Sequence, residues 1–365
     1  MDNKILNINK LDSPALVVFP EIVQQNIKVA ISMAAHPDCL RPHIKTHKTK
    51  EVIEFCQKEG IQKFKCATIS EAEILGICAV KDTLLAYQPV GPKVNRWADL
   101  IQSFPDTQFS CLIDNLNVAQ NLDKIGRDLG LVFSVYIDLN IGQNRTGILP
   151  ENAIKLVEKI KFFLNISIIG LHAYDGHIYD IDFSIRKEKA DLVHNTSKTV
   201  QTQLEKILAK NLTLVMSGSP TYSIHAKRLD IEYSPGTFVF WDMGYRQFTE
   251  QDFMPAVYVL GRVISKPKAN SICVDIGHKS VAAERPLGER IKFLNAELQA
   301  ISQSEEHLVL EVLDEIIYEI GDELMGIPYH ICPTVALHEK IFLIENGKYT
   351  GNYWQVMARN RELNF

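Results

Sequence analysis

Near its start the chain reads Leu40-Arg41-Pro42-His43-Ile44-Lys45-Thr46-His47-Lys48, a run that sets several cationic side chains beside a proline. As an extended segment it sends Arg41, His43 and Lys45 to one side, because side chains on a strand alternate between faces. If that strand belongs to a closed barrel, the side in question is the interior. Burial disfavours the charged form of lysine, as do neighbouring cations, and an uncharged amine is the form that condenses with an aldehyde. On this reading Lys45 is the reactive amine of the protein. A basic strand lying on the surface is the alternative, and the commoner fate of segments rich in lysine and arginine.

Outward from this run, short apolar stretches recur. ALVVF (15–19) is a strand ended by Pro20, after which Ile22, Val23, Ile27, Ala30 and Met33 fall at helical spacing. Further strands are expected at LRPHIKT (40–46), KFKCATI (63–69), DTLLAY (82–87), QFSCLID (108–114), VFSVYIDL (132–139), SIIGLHAY (167–174), LTLVMSG (212–218) and IEYSPGTFVF (231–240). Helical stretches such as EVIEFCQKEG, SEAEILGICAV and NAIKLVEKIKFFL separate most of them. Strand alternating with helix argues for a parallel sheet, and eight such strands for a closed (β/α)8 TIM barrel, with an open doubly wound sheet as the runner-up. Past about residue 241 the rhythm changes. YVLGRVISK, SICVDIG, HLVLEVL, DELMGIPYHIC and KIFLIENGKYTGNYWQVMAR read as short strands with turns, so a mainly β domain follows. The expected class is α/β, with the barrel over residues 12–240 and the β domain over 241–365.

The composition is that of an ordinary folded chain: 365 residues, 46% hydrophobic and 23% charged. A net charge of −5 and a pI near 6.1, with lysines and arginines scattered, give no basic face for nucleic acid. No apolar run approaches a membrane span, and the opening residues lack the basic and apolar regions of a signal peptide. Seven cysteines without CxxC spacing fit a reducing compartment, so a cytoplasmic protein is expected.

The run RPHIKTHK, then CATISEAEIL (66–75), HAYDGH (172–177) and YHICPTVALH (329–338), resembles the D-threonine aldolase and D-serine dehydratase family in matching order along nearly the whole chain. The resemblance implies pyridoxal-phosphate enzymes with a barrel of the alanine racemase type. It places the opening segment, residues 1–19, with the second domain as an added strand. It also implies that Lys45 carries the cofactor, and that two chains pair as a homodimer with the cofactor near the interface.

In a parallel barrel the active site lies at the carboxyl ends of the strands. Polar residues expected there are His43, Lys45, Thr68, Gln88, Asp138, Arg145, His172, Tyr174 and His177. Ser217-Gly218-Ser219-Pro220-Thr221 and Ser234-Pro235-Gly236-Thr237 supply small residues and hydroxyls for a phosphate, although such clusters are commonly plain turns. By resemblance both loops, including Ser217, Gly218, Ser219, Thr221, Gly236 and Thr237, cradle the cofactor phosphate, and Arg145 lies near its phenolic oxygen. Tyr174 and His177 could position the ring or move a proton. His330 and Cys332, two apart on an expected strand, face the same way and pair nitrogen with sulfur, a set that suits zinc over manganese or magnesium. The resemblance makes this the metal segment, with aspartate commoner in aldolases where Cys332 stands. Asp275-Ile276-Gly277-His278-Lys279 and Trp354 to Arg359 resemble segments that shape the substrate end.

The function these readings imply is a pyridoxal-phosphate- and metal-dependent lyase acting on small D-β-hydroxy amino acids, by aldol cleavage or by dehydration. An amino-acid racemase and a non-catalytic carrier of the cofactor are the alternatives. The second domain and the His330/Cys332 pair count against the carrier.

Overall fold

A computed structural model describes residues 5–365. In chain order its strands are β1 (Ala15–Val18), β2 (Lys63–Cys66), β3 (Asp82–Leu85), β4 (Gln108–Ile113), β5 (Phe133–Asp138), β6 (Ile166–Ala173), β7 (Thr213–Met216), β8 (Glu232–Tyr233), β9 (Val257–Lys268), β10 (Ser271–Val274), β11 (Ile291–Phe293), β12 (Leu298–Gln303), β13 (Leu308–Val312), β14 (Glu323–Pro328), β15 (Lys340–Glu345) and β16 (Lys348–Gln355). The α-helices are α1 (Pro20–Met33), α2 (Lys50–Lys58), α3 (Ile69–Ile77), α4 (Lys93–Ser103), α5 (Leu116–Leu129), α6 (Pro150–Ile160), α7 (Phe183–Leu208), α8 (Tyr222–His225) and α9 (Ile331–Leu337). The described residues fall into two compact units. One holds residues 30–45, 53–236 and 360–365, the other residues 5–29, 46–52 and 237–359.

In the first unit β2 to β8 form a parallel sheet of seven strands, ordered as they occur in the chain. The crossover helices begin and end where local chemistry satisfies their free backbone groups. Thr68 Oγ1 accepts the Glu71 N–H at the start of α3, and the Glu71 carboxylate accepts the Ala67 N–H at 2.6 Å. Asn115 caps α5, which Gly130 closes in the left-handed conformation at φ 68°. Leu84, Leu112, Tyr136 and Val215 form a buried apolar cluster. Side chains of this size stabilise by about 1.5–3 kcal/mol each when fully buried.

LRPHIKT is not the regular first strand that its alternation predicts. Only Leu40 and His43 form bridges, to Tyr233 and Lys65, and Ile44–Thr46 is a 3-10 turn. Pro42 has no N–H to give a ladder. Three backbone bonds still hold the segment: Arg41 N–H to Tyr233 O at 2.8 Å, His43 N–H to Pro235 O at 3.0 Å, and Lys65 N–H to Pro42 O at 2.8 Å. Residues 40–43 therefore join β8 to β2 and close the sheet into a barrel, while Lys45 sits on a tight turn. IEYSPGTFVF likewise shortens to β8, with Thr237–Val239 as a 3-10 turn.

Residues 360–365 belong with the barrel unit, not with the β domain that the sequence rhythm assigns them to. Asn364 binds the Glu73 carboxylate, Asn360 O accepts the Ser70 hydroxyl, and Arg96 binds Phe365 O.

The second unit is built on a sheet ordered β12-β13-β10-β9-β1-β15-β16, with β14 also paired to β9 and β11 to β14. β1 runs parallel to β15 and antiparallel to β9, which is why residues 5–29 group with this sheet. Ile8, Leu11, Val17, Leu260, Ile327 and Ile344 are among the residues of its apolar core. The β15–β16 hairpin turns on Asn346 and Gly347, both left-handed at φ 51° and 71°. DELMGIPYHIC is a second departure from the expected strands. β14 stops at Pro328, His330 is an extended N-cap residue, and Cys332 lies in the first turn of α9. Pro333 is tolerated there because a first-turn N–H would have no intrahelical partner.

Candidate active site

Strand alternation puts Tyr136 and Asp138 of β5 on the same face, as it does Gly170 and His172 of β6. Asp138 and His172 meet near the carboxyl ends of their strands: His172 Nδ1 donates to Asp138 Oδ1 at 2.7 Å. The other ring nitrogen, Nε2, lies 3.5 Å from Lys65 Nζ. These groups help line a cavity of about 30 Å³ with His43, Lys45, Arg145 and Tyr174. Lys45 Nζ, Lys65 Nζ and Arg145 Cζ stand 5.9, 5.3 and 5.4 Å from the centre of the Tyr174 ring.

Two glycines seat that ring. A Cβ on Gly176 would stand 2.3 Å from Tyr174 ring atoms, and one on Gly218 would stand 3.0 Å from Tyr174 Cε2. Below them Asp175 Oδ2 pairs with His225 Nε2 at 2.9 Å, and Asp175 Oδ1 accepts the Gly218 N–H at 3.0 Å. Burial alone would raise the Asp175 carboxyl, but His225, Thr221 and the Gly218 N–H outweigh it and hold it below the usual carboxylate range. Ser217 is buried in the left-handed region at φ 72°, a conformation that costs a non-glycine residue about 1 kcal/mol or more. This network fixes residues 217–221, and the Gly236 N–H donates to Ser219 Oγ at 3.4 Å, so the two expected phosphate loops touch.

The electrostatics are uneven. Burial, and then the neighbouring Lys45, push the Lys65 amine down to about 7. Burial also holds His172 below its ordinary value, against the hydrogen bond it donates to Asp138.

Other expected residues have partners within the fold. Thr68 Oγ1 caps α3. Gln88 Nε2 donates to Asp114 Oδ1 at 2.7 Å, and Asp114 Oδ2 accepts the Gly147 N–H at 3.0 Å, which braces the loop bearing Arg145. His177 is exposed and packs at Gly142. Asp275 accepts from Ser13 Oγ and Arg262 N–H, and Lys279 pairs with Glu305 and Glu306 at the surface.

In the second unit, His330 Nδ1 lies 2.6 Å from Glu284 Oε1, and the ring is also hydrogen-bonded to the Cys332 sulfur. Burial works against the charged ring, but Cys332 and Glu284 raise it to about 9. Cys332 Sγ also meets Thr46 Oγ1 at 3.2 Å and Thr237 Oγ1 at 3.8 Å. The nitrogen and sulfur thus converge through a helix start instead of a strand. Among the described residues there is no group of three or more His, Cys, Asp or Glu side chains placed to hold a metal.

Sequence reasoning passed over Lys65, Asp175 and His225. The signal for Lys65 was present: Lys63 and Lys65 alternate with Phe64 and Cys66, which puts two lysines on the inner face of a barrel strand.

A closed parallel barrel with a lysine-rich cavity near the carboxyl ends of its strands defines the class, and the chain belongs to the family described as alanine racemase, N-terminal domain, which matches residues 20–243. Residues 256–344 match a putative serine dehydratase domain. Among particular proteins, the chain is 25% identical to a D-threonine aldolase of Arthrobacter sp, over 96% of this chain and 93% of that protein. It is 24% identical to the D-serine dehydratase of Dictyostelium discoideum, over 93% and 95%. The crystal structure of D-threonine aldolase from Filomicrobium marinum superposes with a TM-score of 0.86 at 22% identity, covering 98% of each chain. These relatives are named as lyases.

The family implies pyridoxal phosphate, and the residues fit it. Lys45, Lys65 and Arg145 face a cavity whose lining holds a single carboxylate, Asp138, already committed to His172. A cavity of 30 Å³ has room for about one water. Lys45 is half-buried and Arg145 exposed at the edge of this cavity. His330 and Cys332 fit a borderline-soft cation, since one ring nitrogen is oriented by Glu284 as metal-bound histidines usually are.

Proposed function

We propose that the protein is a pyridoxal-phosphate- and metal-dependent lyase that cleaves or dehydrates D-β-hydroxy amino acids. The observation that carries this reading is the cavity in which Lys45 stands with Arg145, Tyr174 and the His172–Asp138 pair. Bound there, pyridoxal phosphate would supply the electron sink for chemistry at the substrate α-carbon. Lys45 Nζ is the amine that holds it and, in turnover, the site that takes or returns a proton. Arg145 offers its guanidinium to an anionic oxygen, and Tyr174, seated on Gly176 and Gly218, offers a ring face. Ser217, Gly218, Ser219 and Thr221, with Gly236, would give hydroxyls and close backbone approach to the phosphate. His330 and Cys332 would hold a divalent cation, zinc in preference to manganese or magnesium, that acts as a Lewis acid on a hydroxyl oxygen.

D-threonine and D-serine, for which the relatives are named, both carry a β-hydroxyl, which supports the substrate class. The reading includes a homodimer working in the cytoplasm on small molecules, with no nucleic-acid partner. Among the described residues no helix is long and apolar enough to cross a membrane.

The test incubates loaded protein with D-threonine, D-serine and D-3-hydroxyaspartate and assays aldehyde and keto acid separately. Lys45→Ala should lower turnover by about a thousandfold. Chelation should stop turnover while the visible absorption of the cofactor stays. Neither product from loaded wild-type protein would overturn the lyase reading, and full turnover in metal-free protein would remove the cation from it.

A further inference from the structure

Lys65 has no assigned task. It is fully buried, yet among the described residues its amine makes no salt bridge to a carboxylate; it meets His172 Nε2 at 3.5 Å. A second cation in the same barrel shows how a burial of this kind is ordinarily resolved: Arg41 binds Glu232 and Asp82 at 2.6 to 2.8 Å. Lys65 instead faces the cavity beside the Tyr174 ring.

We propose that Lys65 is a proton-holding positioning residue: through His172 and Asp138 it sets the charge that faces a ligand in the cavity. The inference rests on the cofactor reading of the same site. The tautomer follows from the bonds. His172 commits Nδ1–H to Asp138, so Nε2 is a lone pair that accepts from the Lys65 ammonium. When Lys65 loses its proton to solvent, the chain ends in a neutral amine and no heavy-atom bond changes. The charged groups that act most on Lys65 oppose one another. Lys45 and Arg41, both on residues 40–45, favour the neutral amine, and Asp138 of β5 and Asp175 of the loop after β6 favour the ammonium. His43 pairs with Lys65 through a backbone bridge. Burial outweighs the carboxylates and puts the exchange close to neutrality.

The experiment loads wild-type, Lys65→Met and Asp138→Asn proteins with pyridoxal phosphate and follows the visible absorption of the cofactor from about pH 6 to 9. Borohydride fixation and peptide mapping report whether the cofactor is on Lys45, which tests the underlying reading separately. Wild-type protein should show a spectral transition near neutrality that Lys65→Met loses. Asp138→Asn keeps Lys65 but removes a carboxylate that favours its ammonium, so the transition should move to lower pH. A transition unchanged in Lys65→Met overturns the proposal. Should that variant not fold, an unmoved midpoint in Asp138→Asn overturns it. The cofactor-free protein decides independently of cofactor attachment: the melting-temperature gain of Lys65→Met over wild type should shrink as pH rises above 7, and a pH-independent difference overturns the proposal.

Discussion

The two ends of the barrel interior hold charge in opposite ways. At the amino end, Lys63, Asp82 and Glu232 are the first residues of β2, β3 and β8, and Arg41 lies among them. Arg41 binds Glu232 at 2.6 Å and both Asp82 oxygens at 2.7 and 2.8 Å, and Lys63 closes the set on Glu232 at 2.5 Å. Burial alone would lower Arg41, but Glu232 and Asp82 hold it well above its ordinary value. At the carboxyl end, Lys65 lies two residues beyond Lys63 on the same face, meets the His172 imidazole and the Tyr174 ring instead of a paired carboxylate among the described residues, and falls to about 7. One end pairs its charges and closes the barrel; the other leaves the Lys65 amine in the cavity without a directly paired carboxylate among the described residues. Parallel barrels divide stability from function along the same axis.

Three measurements test that contrast. The largest effect is expected at the amino end. Arg41→Met leaves Asp82 without its buried cation and Glu232 with Lys63 alone, and should cost about 3–5 kcal/mol of unfolding free energy by denaturant titration. Turnover per folded molecule should hold, and a loss below about 1 kcal/mol would mean that the paired end does not stabilise the barrel.

A smaller effect of opposite sign is expected at the carboxyl end. The folded value for Lys65, about 7, lies below its ordinary 10.5. Below pH 7 both folded and unfolded chains hold the proton, so the cost of the buried cation is fully present; it is relieved as pH rises toward 10.5. Lys65→Met should therefore be more stable than wild type by a few kcal/mol at pH 6, with the gain shrinking through that window. A destabilised variant at pH 6 would show Lys65 to be a satisfied core residue.

The smallest effect belongs to the seat of the tyrosine. Gly176→Ala places a methyl 2.3 Å from Tyr174 ring atoms and should cost about 1–3 kcal/mol, with weaker cofactor retention on dialysis. Unchanged retention would remove the Tyr174 ring from cofactor binding.

Much of the scaffold was legible because it depends on local pattern. The strands from KFKCATI to LTLVMSG stand in the barrel in chain order, since apolar runs separated by helical periods carry their own signal. The misreadings share a cause. RPHIKT alternates like a strand, but Pro42 lacks a donor, and the partners that hold it, Tyr233 and Lys65, are remote in sequence. The HIC run looks extended, yet Pro333 marks the first turn of a helix. Its nitrogen and sulfur still meet, by a different geometry.

The order of strands and helices, the barrel, the change of rhythm near residue 241 and the cationic run around Lys45 are readable from local spacing, because each rests on neighbours within a few positions. Only the tertiary structure decided which buried cation is neutralised. Arg41 and Lys65 lie on adjacent segments of similar composition, and their difference depends on carboxylates 41 and 191 residues from Arg41 that fold against it and not against Lys65. Charge in a protein interior is governed by such distant partners and by exclusion of water, and neither is written in local spacing.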